Sequence, residues 1–121
     1  MSENQFILNL VEGSVRFQFT PNAARELKEA IDQLMQTFKA AATKAAKTPG
    51  RGARPTPQKT MEYRYAGDIF LEIFCNPNIY PTPFAAKVLV TVRDDRIRIT
   101  SEAQLTQLVE DINVYLDKVG E

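Results

Sequence analysis

Histidine is absent from this 121-residue chain, and cysteine occurs once, as Cys75. The first absence removes the commonest general base near neutral pH, and the two together leave no plausible ligand set for zinc or an iron–sulfur cluster. No cofactor is therefore expected, and a lone thiol cannot close an intramolecular disulfide. Charge of one sign is also missing in bulk. Fifteen Lys and Arg balance fifteen Asp and Glu, which withdraws the general electrostatic argument for a nucleic-acid or membrane-surface binder. No apolar run approaches the ~18 residues of a membrane helix, since even residues 68–75 are interrupted by Glu72. The opening Met1-Ser2-Glu3-Asn4-Gln5 has neither the basic start nor the apolar run of a signal peptide, so a soluble protein of the reducing cytoplasm, without membrane insertion, is expected.

What is present is an ordinary globular composition, 44% hydrophobic and 25% charged, at a length suited to one domain spanning residues 1–121. Residues 6–11 and 15–19 are β-rich runs around Glu12-Gly13-Ser14, which predicts a hairpin. In the second run Val15, Phe17 and Phe19 share one face, leaving Arg16 and Gln18 outward. Thr20 before Pro21 is a helix start. Leu27, Ile31, Leu34 and Phe38, extended by Met35, Ala41, Ala42 and Ala45, form an apolar stripe opposite Lys28, Glu29 and Asp32. Thr48-Pro49-Gly50 ends that helix and opens a basic Pro/Gly segment, residues 48–59, without one aliphatic side chain larger than alanine, which reads as a flexible loop.

Residues 60–65 and 69–75 flank Ala66-Gly67-Asp68, and residues 87–93 and 96–100 flank Asp94-Asp95, giving two more hairpins. Ser101 with Gln104 reads as a capping box before the stripe Leu105, Leu108, Val109, Ile112, Leu116 and Val119. The expected fold is α+β, in the order ββαββββα, with about six mostly antiparallel strands and two amphipathic helices packed on one face. On that reading Ile69, Leu71, Ile73, Ile97 and Ile99 point inward. Arg16, Gln18, Glu62, Arg64, Phe70, Glu72, Phe74, Arg96 and Arg98 then point outward on a face left open.

Chemistry-bearing patterns are few. Asp94-Asp95 suits a tight turn better than a cation site, Glu110-Asp111 reads as a solvated helix face, and Cys75 as a buried inert thiol. Gly50-Arg51-Gly52 lacks the strand, the helix and the Lys-Ser/Thr of a phosphate loop. Lys39, Lys44, Lys47, Arg51, Arg54 and Lys59 fall in a stretch free of acidic residues. Such a run either grips phosphates or is a solvated helix end followed by a soluble linker. The segment Asn76-Pro77-Asn78-Ile79-Tyr80-Pro81-Thr82-Pro83-Phe84 is stiffened by three prolines and carries Ile79, Tyr80 and Phe84. These side chains either present a recognition surface or fold back to close the sheet.

The stretch 63–117, above all Asp68-Ile69-Phe70-Leu71-Glu72-Ile73-Phe74-Cys75-Asn76-Pro77-Asn78 with Tyr80-Pro81-Thr82-Pro83-Phe84, resembles small conserved cyanobacterial proteins of uncharacterised role. That resemblance implies no activity and carries over no functional residue. The element order is similar to that of sheet-gripping single-strand nucleic-acid binders such as the Whirly family, a likeness of order alone.

Binding is expected ahead of catalysis, because a Lys, Tyr or carboxylate catalyst would need groups gathered from separate parts of the chain. The leading expectation is a non-enzymatic interaction or assembly module, with Ile79, Tyr80, Phe84, Phe70 and Phe74 on a protein partner or on a second copy in a homodimer. The alternative is a single-stranded nucleic-acid binder, with the basic run on phosphates and Arg64, Arg96 and Arg98 beside Phe70 and Phe74. A small-molecule carrier ranks third.

Overall fold

A computed structural model of the chain describes residues 5–47 and 58–120, and side chains throughout these except 41–47. The order is β1 (Gln5–Leu10), β2 (Gly13–Gln18), α1 (Pro21–Lys47), β3 (Met61–Ala66), β4 (Phe70–Cys75), β5 (Lys87–Arg93), β6 (Arg98–Gln104) and α2 (Leu105–Lys118). The expected α+β order ββαββββα is observed, and its six strands divide into an antiparallel β1–β2 ribbon and a four-stranded antiparallel sheet, β3-β4-β5-β6.

The ribbon turns at Val11-Glu12, with Gly13, at a φ of 143°, paired opposite Leu10. That backbone conformation favours glycine, because a Cβ would strain it. Thr20 caps α1 as expected, its hydroxyl accepting the Ala23 N–H at 3.0 Å. One face of α1 then buries Ala23, Ala24, Leu27, Ile31, Leu34 and Phe38. The expected contributions of Ala41, Ala42 and Ala45 lie outside the described side chains.

Cross-strand partners share a face of a sheet, so the register separates inside from outside. The inner face carries Met61, Tyr63, Leu71, Ile73, Cys75, Val88, Val90 and Ala103, all buried under the helices. The Tyr63 hydroxyl donates to the Ala23 carbonyl at 3.0 Å, which fixes β3 against the first turn of α1. The ribbon adds Phe6, Leu8, Phe17 and Phe19 to the same cluster, with Phe6 edge-on to Tyr115 at 5.8 Å and stacked on Phe19 at 5.1 Å. Burying one such side chain contributes about 1.5–3 kcal/mol.

Three expectations are corrected here. Ser101 and Gln104 do not form a capping box. Strand β6 runs through both, and Gln104 precedes α2 without a side-chain cap. Pairing with β5 from Arg98 to Gln104 already supplies partners for this backbone, and the Leu105 N–H finds the Ala86 carbonyl at 3.0 Å. Ile97 does not point inward as expected, whereas Ile99 does but is incompletely covered. Ile97 sits in the β5–β6 turn, 58% exposed, and Ile99 lies opposite Val92 at the open end of the inner face, 38% exposed.

Asp111 is not solvated. It is 6% exposed, and its carboxylate accepts the Asn9 backbone N–H at 2.8 Å, the Asn9 Nδ2–H at 2.9 Å and the Gln107 Nε2–H at 2.9 Å. At the far end of the same helix Lys118 Nζ donates to the Gln5 carbonyl at 2.7 Å. Side chains of α2 thus occupy backbone groups of β1 on the side away from β2, where an unpaired strand edge would otherwise lie.

Replacing Asp111 with Ala strands three donors and is expected to cost about 2–3 kcal/mol in urea denaturation. Asp111→Asn, which turns a donor of its own toward the Asn9 N–H, is expected to lose a comparable amount. An unchanged midpoint in both variants would remove the carboxylate from the account of how ribbon and helix are joined.

Candidate functional site

Three rows of side chains cross the outer face of the four-stranded sheet. Glu62, Phe74, Leu89 and Glu102 form the row nearest the β4–β5 loop. Arg64, Glu72, Thr91 and Thr100 form the middle row, and Ala66, Phe70, Arg93 and Arg98 the row at the opposite end. Phe70 and Phe74 are half-buried, and Leu89 is exposed.

The charges of this face are partly spent within it. Arg64 donates to Glu72 at 3.0 Å and to Glu62 at 3.5 Å, and the Arg93 guanidinium lies over the Phe70 ring, 4.4 Å from its centroid. Thr91, although it points outward, is 7% exposed, beside the Thr100 hydroxyl at 3.4 Å.

Of the residues expected on this face, Glu62, Arg64, Phe70, Glu72, Phe74 and Arg98 lie on it. Arg16 and Gln18 are exposed but belong to the ribbon. Arg96 is displaced into the β5–β6 turn, because β6 begins only at Arg98. There Asp94 Oδ1 accepts the N–H groups of Arg96 at 2.8 Å and Ile97 at 2.9 Å. Asp94 is thereby a turn-forming residue. The Ile97 and Arg96 N–H groups hold its carboxyl below the usual range.

The β4–β5 loop is built on two asparagines. Pro77–Ile79 forms a short 3-10 helix, and Asn76 Oδ1 accepts the Asn78 N–H at 3.0 Å. The Asn78 side chain then pairs with the backbone of Gln58 like a neighbouring strand, its Oδ1 accepting the N–H at 2.6 Å and its Nδ2 donating to the carbonyl at 2.9 Å. Ile79 and Phe84 project outward, 66% and 83% exposed. Tyr80 instead folds back against the core, and the Tyr80–Pro81 bond is trans.

No protein-family model, curated protein or solved structure matches this chain.

Lys39 and Lys59 are exposed, with Lys59 directly after the Gln58 that Asn78 holds. Contacts between α1 and the 3-10 helix bring the long helix to this loop. The side chains of Lys44 and Lys47, together with Arg51, Arg54 and nearly all of the 48–59 loop, lie outside the described residues.

Among the described residues no group of three or more His, Cys, Asp or Glu side chains could hold a metal ion, and no helix is long and apolar enough to cross a membrane. The cleft between α1 and β3, lined by Gln33, Thr37, Lys59 and Glu62 among others, holds about 150 Å³, and a more open depression between the β3–β4 and β5–β6 turns, lined by Asp68, Phe70, Arg93 and Asp95 among others, holds about 410 Å³. Cys75 is buried, and that burial pushes its thiol up to about 11.

Arg93, Leu89 and Thr91 are constituents of the outer face that the period-two pattern alone could have supplied, since Leu89, Thr91 and Arg93 alternate with the buried Val88, Val90 and Val92. Asp111 had a signal too, at three residues from Leu108 and four from Tyr115 on the buried side of α2.

Two outcomes follow from this geometry. In Asn78→Ala the Gln58 amide is expected to exchange with solvent about tenfold faster by hydrogen-exchange NMR, while the β3–β4 ladder stays protected. For Cys75, an unfolded thiol ionises near 9.0 and the folded one near 11. Below this window both states keep the proton, and within it the unfolded chain releases it first. Thermal stability is therefore expected to fall as pH rises from 9 to 11, with a shallower slope in Cys75→Ala.

Proposed function

We propose that the chain is a non-enzymatic interaction module that holds a protein partner on the 76–84 loop, with Ile79 and Phe84 as the apolar anchors. The observation that carries this reading is the pairing of exposure with rigidity. A phenylalanine 83% exposed and an isoleucine 66% exposed stand on a loop braced by Asn76, Asn78 and three prolines. Exposed apolar side chains held in place lose little conformational freedom on binding, which is what makes aromatic anchors effective at protein interfaces. Tyr80 contributes by packing the loop onto the core, so it positions the anchors.

A protein partner fits these residues better than a nucleic acid does. Base stacking requires aromatic faces beside available cations, and here Arg64 is bound to two carboxylates and Arg93 is stacked on Phe70, while Arg96 lies off the face in the β5–β6 turn.

The test is affinity capture followed by mass spectrometry, comparing the wild-type chain with Ile79→Ser and Phe84→Ser. Both variants are expected to keep the wild-type circular dichroism spectrum and melting temperature within about 2 °C, because exposed positions contribute little to stability. Both are expected to lose the same specific partner. A partner retained by both variants would exclude the loop as the contact. Salt-sensitive anisotropy of labelled single-stranded DNA would instead support the nucleic-acid reading.

A further inference from the structure

The two end rows of the outer sheet face complement each other in one orientation. Its four strands, ~4.8 Å apart, carry three rows of side chains spaced ~6.6 Å along the strand. Of the two end rows one holds the acidic and the other the basic residues, and Lys87 with Gln104 extends the face one step beyond the acidic row on β5 and β6. Glu62 and Glu102 bracket Phe74 and Leu89 at the loop end, whereas Arg93 and Arg98 accompany Phe70 at the other. The middle row is compensated internally by the Arg64–Glu72 pair at 3.0 Å.

We propose that a second copy of this chain covers this face, its strands running opposite to those of the first about a two-fold axis perpendicular to them. In that arrangement Glu102 of each copy meets Arg98 of the other, twice by symmetry. Phe74 meets Phe70, and Leu89 packs on the aliphatic stem of Arg93. A parallel arrangement would set Glu62 against Glu102 twice, whereas the proposed one brings like charges together only in the middle row, where each Arg64 is already bound to Glu72 and Glu62 of its own copy. Within one copy Arg98 and Glu102 are four residues apart on one strand, about 13 Å, too far to pair with each other.

A face of roughly 20 Å by 20 Å puts the total buried area near ~1,000 Å², at the lower end of specific interfaces. The dimer is therefore expected to be reversible and micromolar. It uses a different surface from the 76–84 loop and stands or falls separately.

Sedimentation velocity of the full chain from about 1 to several hundred µM tests it. The expected result is a concentration-dependent rise from the 13.7 kDa monomer to twice that mass. Arg98→Glu and Glu102→Arg are each expected to weaken association by about tenfold or more, and the double swap R98E/E102R to restore it. Leu89→Lys, at an exposed position outside the ion pairs, is expected to abolish it, while I79S and F84S leave it unchanged. A monomer at every concentration, or a dimer indifferent to R98E and L89K, overturns the proposal.

Discussion

The ribbon and the four-stranded sheet are separate hydrogen-bonded units, so the molecule depends on whatever joins them. That junction is the buried seam where Phe6 and Leu8 of β1 meet α2, sealed by the Asp111 carboxylate on the Asn9 backbone. One backbone bond, from the Val11 N–H to the Glu102 carbonyl at 2.9 Å, ties the ribbon to β6 as well. The apolar contacts supply the free energy, but they are not directional. The carboxylate supplies register, because three donors from two elements converge on it and a shifted helix would leave them unmet in a buried place.

With both helices and the ribbon committed to the inner side, the outer side of the sheet is covered by no described element. Its residues answer that exposure in two ways. Ion pairing between Arg64 and its carboxylates, and stacking of Arg93 on Phe70, lower the cost of presenting charges and rings together on one face. The loop joining β4 to β5 behaves differently. There the polar side chains of Asn76 and Asn78 are consumed in bracing the backbone, and the apolar ones are left facing outward. Structural polarity and exposed hydrophobicity in one short loop are what the proposed interaction rests on.

Much of this was legible in the sequence because it follows from short-range periodicity. The helical stripe from Leu27 to Phe38 and the alternation of Leu71, Ile73 and Cys75 with Phe70, Glu72 and Phe74 each depend on a few neighbouring residues. Where reading by pattern failed, a partner outside the pattern had outbid it, at long range for Ser101, Gln104 and Asp111 and locally for Arg96. Ser101 and Gln104 have the spacing of a cap, yet β5 offers that backbone a full ladder of bonds. Asp111 looks like half of an acidic surface pair until Asn9, 102 residues away in sequence, is placed beside it. Arg96 shifted off the sheet because the Asp94 carboxylate draws two extra residues into the turn.

By itself the sequence determined the fold class, the order of elements and which side of each element is apolar, since these are set by the 3.6 and 2.0 residue periods of helix and strand. It also determined what chemistry the chain is poorly furnished for, because a chain without histidine brings that group to no site. The tertiary structure alone decided that six strands divide into two units and that Tyr80 turns in while Ile79 and Phe84 turn out. It alone placed Arg93 rather than Arg96 beside Phe70. Those outcomes depend on which distant groups meet, and no local period encodes a meeting between residues far apart in the chain.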